Sequence, residues 1–298
     1  MILGIDPKVD FAFKWVFGNP RNSALLIHFL NAVLEPDLSV SDVEILNPFN
    51  DKSSVDDKLS ILDVKARDQD GRLINIEIQL LMPTGFTARV LYYWADLYRS
   101  QLNEGDDYDE LAETISIVLI DQVLFPESPE WHLRFEILDR QHGVRFSDRL
   151  LIHVIEFPRF MNAVDNLSGT LEEWVYLLRN AEQMDPGQLP EPLAQPVYSN
   201  AMKEWQMLTQ NDLERERYNA RLKLARDERG IIKAAREAGR EEGREEGRQE
   251  GAIAGRVQLL EELLGLPVTA MDALTQLSLT HLHELARKLS DQLRDRNR

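Results

Sequence analysis

The stretch KLSILDVKARDQDGRLINIEIQL, residues 58–80, contains two runs in which apolar and polar residues alternate. Apolar residues occupy the even positions from Leu62 to Ala66 and again from Ile74 to Leu80. Alternation with a period of two is typical of a β-strand with one face buried. Between the runs lies Gln69-Asp70-Gly71, a three-residue loop whose glycine suits the left-handed position of a hairpin turn. The stretch therefore predicts a β-hairpin.

This loop length places Asp63 directly opposite Glu77 on the polar face of the hairpin. Opposed side chains on paired strands lie about 5 Å apart, so two carboxylates there repel unless a cation or a proton lies between them. A hard divalent cation such as Mg²⁺ prefers oxygen ligands of this kind. The alternative is an ordinary amphipathic hairpin whose polar face contacts water.

A resemblance to a known family extends this interpretation. Asp63 followed by Glu77-Ile78-Gln79 resembles the core motif of the PD-(D/E)XK nuclease superfamily, in the variant with glutamine in place of lysine. The segments DFAFKWVFG (10–18), RVLYY (89–93) and QLNEGDDY (101–108) resemble the Rpn-like recombination-promoting nucleases, which are also labelled transposases. The resemblance is best over residues 5–125. It implies an α/β fold, namely a restriction-endonuclease-like core with a mixed sheet flanked by helices, followed by a C-terminal helical region.

The resemblance also implies a site. The implied metal ligands are Asp63, Glu77, the carbonyl of Ile78 and Asp10 on the first helix, and the implied catalytic residues are Asp63, Glu77, Gln79 and Lys65. The metal that the resemblance implies is Mg²⁺, with Mn²⁺ as a substitute. For Asp10, capping of the helix N-terminus is the alternative role.

Gln79 stands where most members of the superfamily have a lysine that positions or activates water. An amide orients water but does not accept a proton usefully at neutral pH. Lys65 lies two residues after Asp63 on the same face of the strand, so we expect it to supply the missing positive charge.

Arg89 and Tyr93 belong to one of the segments that carry the resemblance, which implies that they bind substrate. Arg89 lies near the start of a predicted helix, residues 84–103, from which it could reach a phosphate. The alternative for Arg89 is a surface salt bridge. Aromatic residues of this helix, with Leu91 among its predicted inner-face residues, are otherwise expected in the core.

Composition restricts the class of protein. The chain has 298 residues, is 43% hydrophobic and contains no cysteine. These values indicate one main domain with a smaller appended region, and they exclude disulfides, thiolate catalysis and cysteine-ligated zinc. The apolar runs are shorter than a membrane span and the N-terminus lacks the features of a signal peptide, so we expect a cytoplasmic protein without a membrane partner.

The formal net charge of −17 disfavours broad, sequence-independent binding of nucleic acid, because that binding depends on Lys and Arg neutralising phosphates. A nuclease needs only a local basic groove, and a bound metal reverses the local field. The most basic segment is 214–236, for which a solvated helix face is the alternative reading.

We divide the chain into a nuclease-like domain (1–185), a proline-rich connection with a charged glycine repeat (186–256) and a C-terminal helical hairpin (257–298). Glycine recurs every fourth residue from Gly239 to Gly255, which costs a helix about 1 kcal/mol per glycine relative to alanine. Close packing along the glycines would offset this cost. The pattern therefore indicates either a self-association segment or a solvated spacer, and we predict a homo-oligomer formed through the C-terminal helices.

Glycine-rich phosphate loops, dinucleotide fingerprints and the usual serine-hydrolase and zinc-protease motifs do not occur in the sequence. The prediction is therefore a Mg²⁺-dependent endonuclease that hydrolyses the phosphodiester bonds of DNA, linked to recombination, mobile elements or phage defence. The alternative is a catalytically degenerate nuclease fold that acts as an interaction and oligomerisation protein.

Overall fold

A computed structural model describes residues 2–47 and 64–296 of the chain. Six strands form one sheet with the order β1-β2-β3-β4-β6-β5. The strands are β1 (Val43–Ile45), β2 (Val64–Asp68), β3 (Leu73–Gln79), β4 (Thr114–Ile120), β5 (His132–Asp139) and β6 (Val144–Glu156). The α-helices are α1 (Asp10–Phe17), α2 (Ser23–Val33), α3 (Phe86–Arg99), α4 (Thr170–Asn180), α5 (Pro196–Gln210), α6 (Asp212–Leu264), α7 (Met271–Leu274) and α8 (Leu279–Arg296).

The predicted hairpin is formed by β2 and β3. The two strands are antiparallel, with Val64 opposite Ile76 and Ala66 opposite Ile74. Gly71 has φ 80°, the left-handed conformation that the turn requires. The predicted hairpin, its register over the described pairs and its turn glycine are confirmed. Asp63 itself lies outside the described residues.

The sheet is mixed. Strands β3, β4 and β6 are parallel to one another, whereas β1, β2 and β5 join their neighbours in antiparallel pairs. All seven residues of β4 are buried, as expected for a central strand covered on both faces. The prediction of an α/β fold with a mixed sheet flanked by helices is confirmed.

Each face of the sheet is covered by different helices. The isoleucines at even positions of β3 belong to the main core, which also contains the apolar side chains of α1, α2, α4 and α5. On the opposite face, Phe86 and Val90 of α3 pack against Val118 and Ile120 of β4. Helix α3 connects the parallel strands β3 and β4. Since Val118 and Ile120 lie beside Glu77 and Gln79, α3 covers the face on which the odd-numbered residues of β3 lie.

One detail of α3 differs from the sequence prediction. Leu91 was expected on the inner face of its helix but is 50% exposed, because Phe86, Val90 and Leu97 are the residues of α3 that are buried.

Strand β6 has two parts. Its first half pairs with β5 in a hairpin beyond the edge of β4, and its second half, from Leu150, also pairs with β4.

The first compact unit spans Met1–Asp227 and therefore continues past residue 185. Its core includes Tyr198 and Trp205 of α5, both fully buried, and Trp205 Nε1 donates a hydrogen bond of 2.9 Å to the Ala12 carbonyl. Tyr218 also belongs to this core, and its hydroxyl accepts a hydrogen bond from the Asp6 backbone N–H. These contacts show why the segment after the proline-rich connection packs with the sheet.

The second compact unit spans Glu228–Arg298. The end of α6 packs with α7 and α8 around a small core that contains Leu260, Leu274, Leu282 and Leu289. Leu259 and Leu263 of α6 are each 55% exposed. The glycines from Gly239 to Gly255 are all helical, and a Cβ added to any of them would meet no other described atom within 4 Å.

Among the helices of the described ranges, none combines the length and the apolar character that a membrane span needs.

Candidate functional site: an acidic strand face beneath α3

Glu77 is the centre of the candidate site. It lies near the carboxyl end of β3, directly beside Val118 of β4, on the face that α3 covers. Its neighbours Ile76 and Ile78 face the main core instead, so the alternation of β3 alone determines that Glu77 points away from that core. Glu77 is only 2% exposed. Ligand sites in open α/β sheets commonly lie at the carboxyl ends of the strands.

Two predicted site residues contact this carboxylate. Gln79 Nε2 donates a hydrogen bond of 2.9 Å to Glu77 Oε1, and Arg89 Nη2 donates to the same oxygen and forms an ion pair with it. The structure therefore brings together three of the residues singled out from the sequence. A carboxylate this deeply buried needs compensation for its lost hydration, and the guanidinium and the amide supply it.

Arg89 is held by few contacts. Its side chain is 33% exposed, and its Cζ lies 5.2 Å from the centroid of the Phe86 ring. The Arg89 Nε atom is buried and has no hydrogen-bond partner within the described part of the chain. Arg89 thus forms the salt bridge that was the alternative for this residue, but with the buried Glu77 rather than with a surface acid.

Lys65 lies on β2 opposite Asn75, on the same face as Glu77 and two positions along. Its backbone N–H donates to Asn47 Oδ1 at 2.7 Å. Between residues 64 and 296 and in the N-terminal range, no hydrogen bond or ion pair links the Lys65 ammonium to Glu77. The role of Lys65 as a source of charge stays a prediction.

Asn75 was missed by the sequence reasoning. It is 6% exposed, and its Oδ1 has no partner among the residues that the structure describes. It shares the strand face with Glu77, two residues away. The alternation of β3 already placed Asn75 on the same face as Glu77, and this shared face was the signal that the sequence offered.

Asp10 is the first residue of α1, and its carboxylate accepts a hydrogen bond of 2.5 Å from the Phe11 N–H. Burial raises the pKa of Asp10, while the positive charge of Arg221 acts in the opposite direction. In the described ranges no hydrogen bond or ion pair joins Asp10 to Glu77, and the apolar side chains of α1 pack on the other face of the sheet. The N-cap of α1 is Val9, so Asp10 takes the alternative role only in that its carboxylate accepts an N–H of the first turn.

Ile78 and Tyr93 complete the predicted set. The Ile78 side chain is in the main core at 4% exposure, and the role of its carbonyl stays a prediction. Tyr93 lies one helical turn after Arg89, is 38% exposed, and contacts the Tyr92 ring at a centroid distance of 5.9 Å. Arg89 and Tyr93 therefore share one side of α3.

A second charged group lies at the ends of the same strands. Asp121 follows β4, and its backbone N–H donates to the Gln79 carbonyl at 3.0 Å. Lys8 Nζ forms an ion pair with Asp121 Oδ2 at 3.3 Å. Sequence reasoning missed this pair because its members are far apart in the chain and neither lies in a patterned element.

Three histidines lie on the hairpin of β5 and β6, away from Glu77. His132 Nε2 and His153 Nδ1 are 2.8 Å apart on β5 and β6, and the rings are stacked. Burial lowers the pKa of His153 to about 3, with further lowering from His132 and Arg134. His142 pairs with Asp139 at the exposed tip of this hairpin.

Two side chains on this strand face offer the oxygen atoms that a hard divalent cation binds: the Glu77 carboxylate and Asn75 Oδ1, which is buried without a partner in the described ranges. Glu77 contributes carboxylate oxygens, of which Oε1 receives both the Arg89 and the Gln79 hydrogen bonds. The ranges 2–47 and 64–296 contain no group of three or more His, Asp or Glu side chains arranged to hold a metal. The second predicted carboxylate, Asp63, immediately precedes the described part of β2.

Comparison with known proteins gives one result. The family model for PD-(D/E)XK nuclease family transposases matches residues 7–235, which include both strands of the hairpin and α3. No curated protein and no solved structure matches the chain.

Proposed function

Because the chain belongs to the PD-(D/E)XK nuclease family transposases, we propose that it is a Mg²⁺-dependent endonuclease that hydrolyses phosphodiester bonds in DNA. Family membership supports a nuclease-like function. The proposal adds DNA as the substrate, the divalent metal, with Mn²⁺ as a substitute, and cleavage within the chain. A role in recombination, mobile elements or phage defence, and action in the cytoplasm, belong to the same proposal.

The observation that carries this proposal is the environment of Glu77. A carboxylate at 2% exposure lies at the carboxyl end of a parallel strand, beneath the crossover helix, within the family-matched region. It is held by a cation and an amide rather than by apolar neighbours alone. An acidic group retained at such a position is expensive for stability, which favours a functional role.

The residues have different roles in the proposed reaction. Glu77 and Asp63, with the Ile78 carbonyl, would hold the metal, which supplies positive charge beside the phosphate and lowers the pKa of water. Asp10 is left out of this set because α1 packs on the other face of the sheet. Gln79 orients the Glu77 carboxylate through its amide hydrogen bond. Arg89 and Tyr93 contact the DNA, Arg89 through a phosphate oxygen, and Lys65 adds charge on the same strand face.

Plasmid nicking tests the proposal. Purified wild type, Asp63→Ala and Glu77→Gln would be compared on supercoiled plasmid with Mg²⁺ or Mn²⁺, with Glu44→Gln as a control for an exposed carboxylate of the same sheet. We expect nicking by the wild type and the control, and at least a hundredfold loss in the two site variants. Equal nicking by all four proteins would reveal a contaminating nuclease.

The absence of nicking by wild type would favour the second interpretation, an interaction protein built on a degenerate nuclease fold.

One observation supports an interaction role in addition to catalysis. Leu259 and Leu263, four residues apart on one side of α6, are each 55% exposed. We propose that the second compact unit forms a homo-oligomer through this apolar side. Light scattering after size exclusion should show a loss of oligomer in Leu259→Glu with Leu263→Glu.

A further inference from the structure

The ion pair between Arg89 and Glu77 occupies a carboxylate that is also a proposed metal ligand. Arg89 Nη2 and Gln79 Nε2 both donate to Oε1 of Glu77. Gln79 is neutral, so within the described residues the positive charge that contacts this buried carboxylate comes from Arg89. A guanidinium stays protonated at every pH at which proteins are folded, so this charge is permanent.

The guanidinium of Arg89 is paired at only one of its described donor positions. One end of the guanidinium is bound to Glu77, whereas the buried Nε has no partner in the described part of the chain. The side chain is one third exposed, so it can move towards solvent without crossing the core. A guanidinium that is hydrogen-bonded on one side loses fewer hydrogen bonds when it moves away than a guanidinium whose donors are all paired.

A divalent cation and a guanidinium compete for the same carboxylate. If a divalent cation binds Glu77, it is repelled by the positive charge of Arg89, which lies at hydrogen-bond distance from the same carboxylate. After release, the Nε and Nη2 donors point along one edge of the guanidinium, a geometry that matches two oxygens of a phosphate. The side chain would thus pass from the carboxylate to an oxyanion of the substrate.

We propose that Arg89 is the internal counter-ion of Glu77, that a divalent cation displaces it, and that Arg89 thereby lowers the affinity of the site for metal. The inference rests on the proposed metal site at Glu77. It differs from a purely substrate-binding role, because a residue that only binds phosphate leaves the affinity for metal alone unchanged.

Calorimetric titration of the metal-free full chain with Mn²⁺, without DNA, tests the inference. The proteins are wild type, Arg89→Met, Arg89→Lys and the control Arg99→Met, whose arginine lies on the same helix but is 81% exposed. We expect Arg89→Met to bind Mn²⁺ about tenfold more tightly than wild type, the effect of removing one nearby charge. Arg89→Lys should lie near wild type because it keeps the charge, and Arg99→Met should equal wild type.

The other outcomes separate the inference from the proposed function. Equal or weaker Mn²⁺ binding by Arg89→Met, with wild-type binding intact, would overturn the inference and leave the metal site standing. No Mn²⁺ binding by any of the proteins would overturn the metal site and the inference with it. Melting curves of each variant establish that it is folded, and Arg89→Gln replaces Arg89→Met if the latter is not.

Discussion

Arg89 on α3 and Glu77 on β3 form an ion pair across the surface of the sheet, and the Glu77 end of this pair is buried. The two residues belong to consecutive elements of a strand–helix–strand unit, so the crossover helix brings the cation over the strand. The pair holds α3 to the sheet and balances a charge that water does not reach.

A double-mutant cycle measures this link. We expect Glu77→Gln and Arg89→Met to destabilise the protein individually and to show a coupling free energy of about 1–2 kcal/mol, because the two groups are in contact. The exposed pair Asp96 and Arg99 on α3 serves as the matched control, with an expected coupling below about 0.5 kcal/mol. Urea unfolding of the metal-free variants gives all the values, and strictly additive effects for the first pair would contradict the prediction.

Gly71 tests the turn of the β2–β3 hairpin. Its φ of 80° is unfavourable for residues with a Cβ, so Gly71→Ala should lower the free energy of unfolding by about 1–2 kcal/mol. Steric contact is not the reason, since an added Cβ meets no atom within 4 Å. Gly187→Ala, in a loop without positive φ, should change stability by less than about 0.5 kcal/mol. Denaturant unfolding that gave the same value for both variants would argue against the left-handed turn.

His153 predicts a loss of stability in acid. Burial lowers its pKa to about 3 in the folded protein, whereas an unfolded histidine has a pKa near 6.5. Between these values the unfolded state binds the additional proton, so the free energy of unfolding falls as pH falls, by up to about 1.4 kcal/mol per pH unit. The stability that depends on neutral His153 is fully present above pH 6.5.

The measurement is urea unfolding at several pH values from 7 to 5, where most carboxylates stay charged. His153→Gln should reduce the dependence on pH without abolishing it, because burial also lowers the pKa of the neighbouring His132 and of His28. His283→Gln, at an exposed position of α8, should keep the wild-type slope. An unchanged slope in His153→Gln would show that another group controls the acid response.

The glycine repeat gives a prediction with two distinguishable results. Gly243→Ala and Gly247→Ala should each stabilise α6 by about 1 kcal/mol, because alanine is the better helix former and each site has open space. Hydrogen exchange of the amides from 240 to 250 should slow accordingly, and Ala238→Gly should accelerate it. If exchange in the alanine variants were faster only at high protein concentration, we would infer instead that the glycines pack against a second copy of the chain.

The sequence predicted local features well. The alternation in residues 62–80 predicted the hairpin, its register and the glycine turn, because each depends on neighbouring residues. The run from Thr114 to Ile120 is likewise apolar enough for a strand covered on both faces, and it forms the fully buried β4. The motif at Glu77 and Gln79, with its family resemblance, identified two side chains that the structure brings into contact.

Long-range features were harder to predict. The partner of Glu77 became apparent only once α3 was placed over β3, since the sequence shows Arg89 as a cation on a helix without indicating what it faces. Similarly, Tyr198, Met202 and Trp205 follow helical spacing, but the preceding prolines led us to place their helix outside the nuclease-like domain, whereas they belong to its core. The exposed Leu91 shows that apolar residues on a helix do not all face the core.

Strand β3 has one further consequence, for changes in chain length. Its even positions fill the main core and its odd positions carry Asn75, Glu77 and Gln79. Removing or inserting one residue between Leu73 and Gln79 would exchange the two sets, turning isoleucines towards α3 and the carboxylate into the aromatic core. Substitutions in this segment can have small or large effects on the fold, but a single-codon deletion disrupts both faces of the strand at once. Because the length of the Gln69–Gly71 turn sets the register of β2 against β3, natural length variation near the site should be confined to the loop between Gln79 and Phe86.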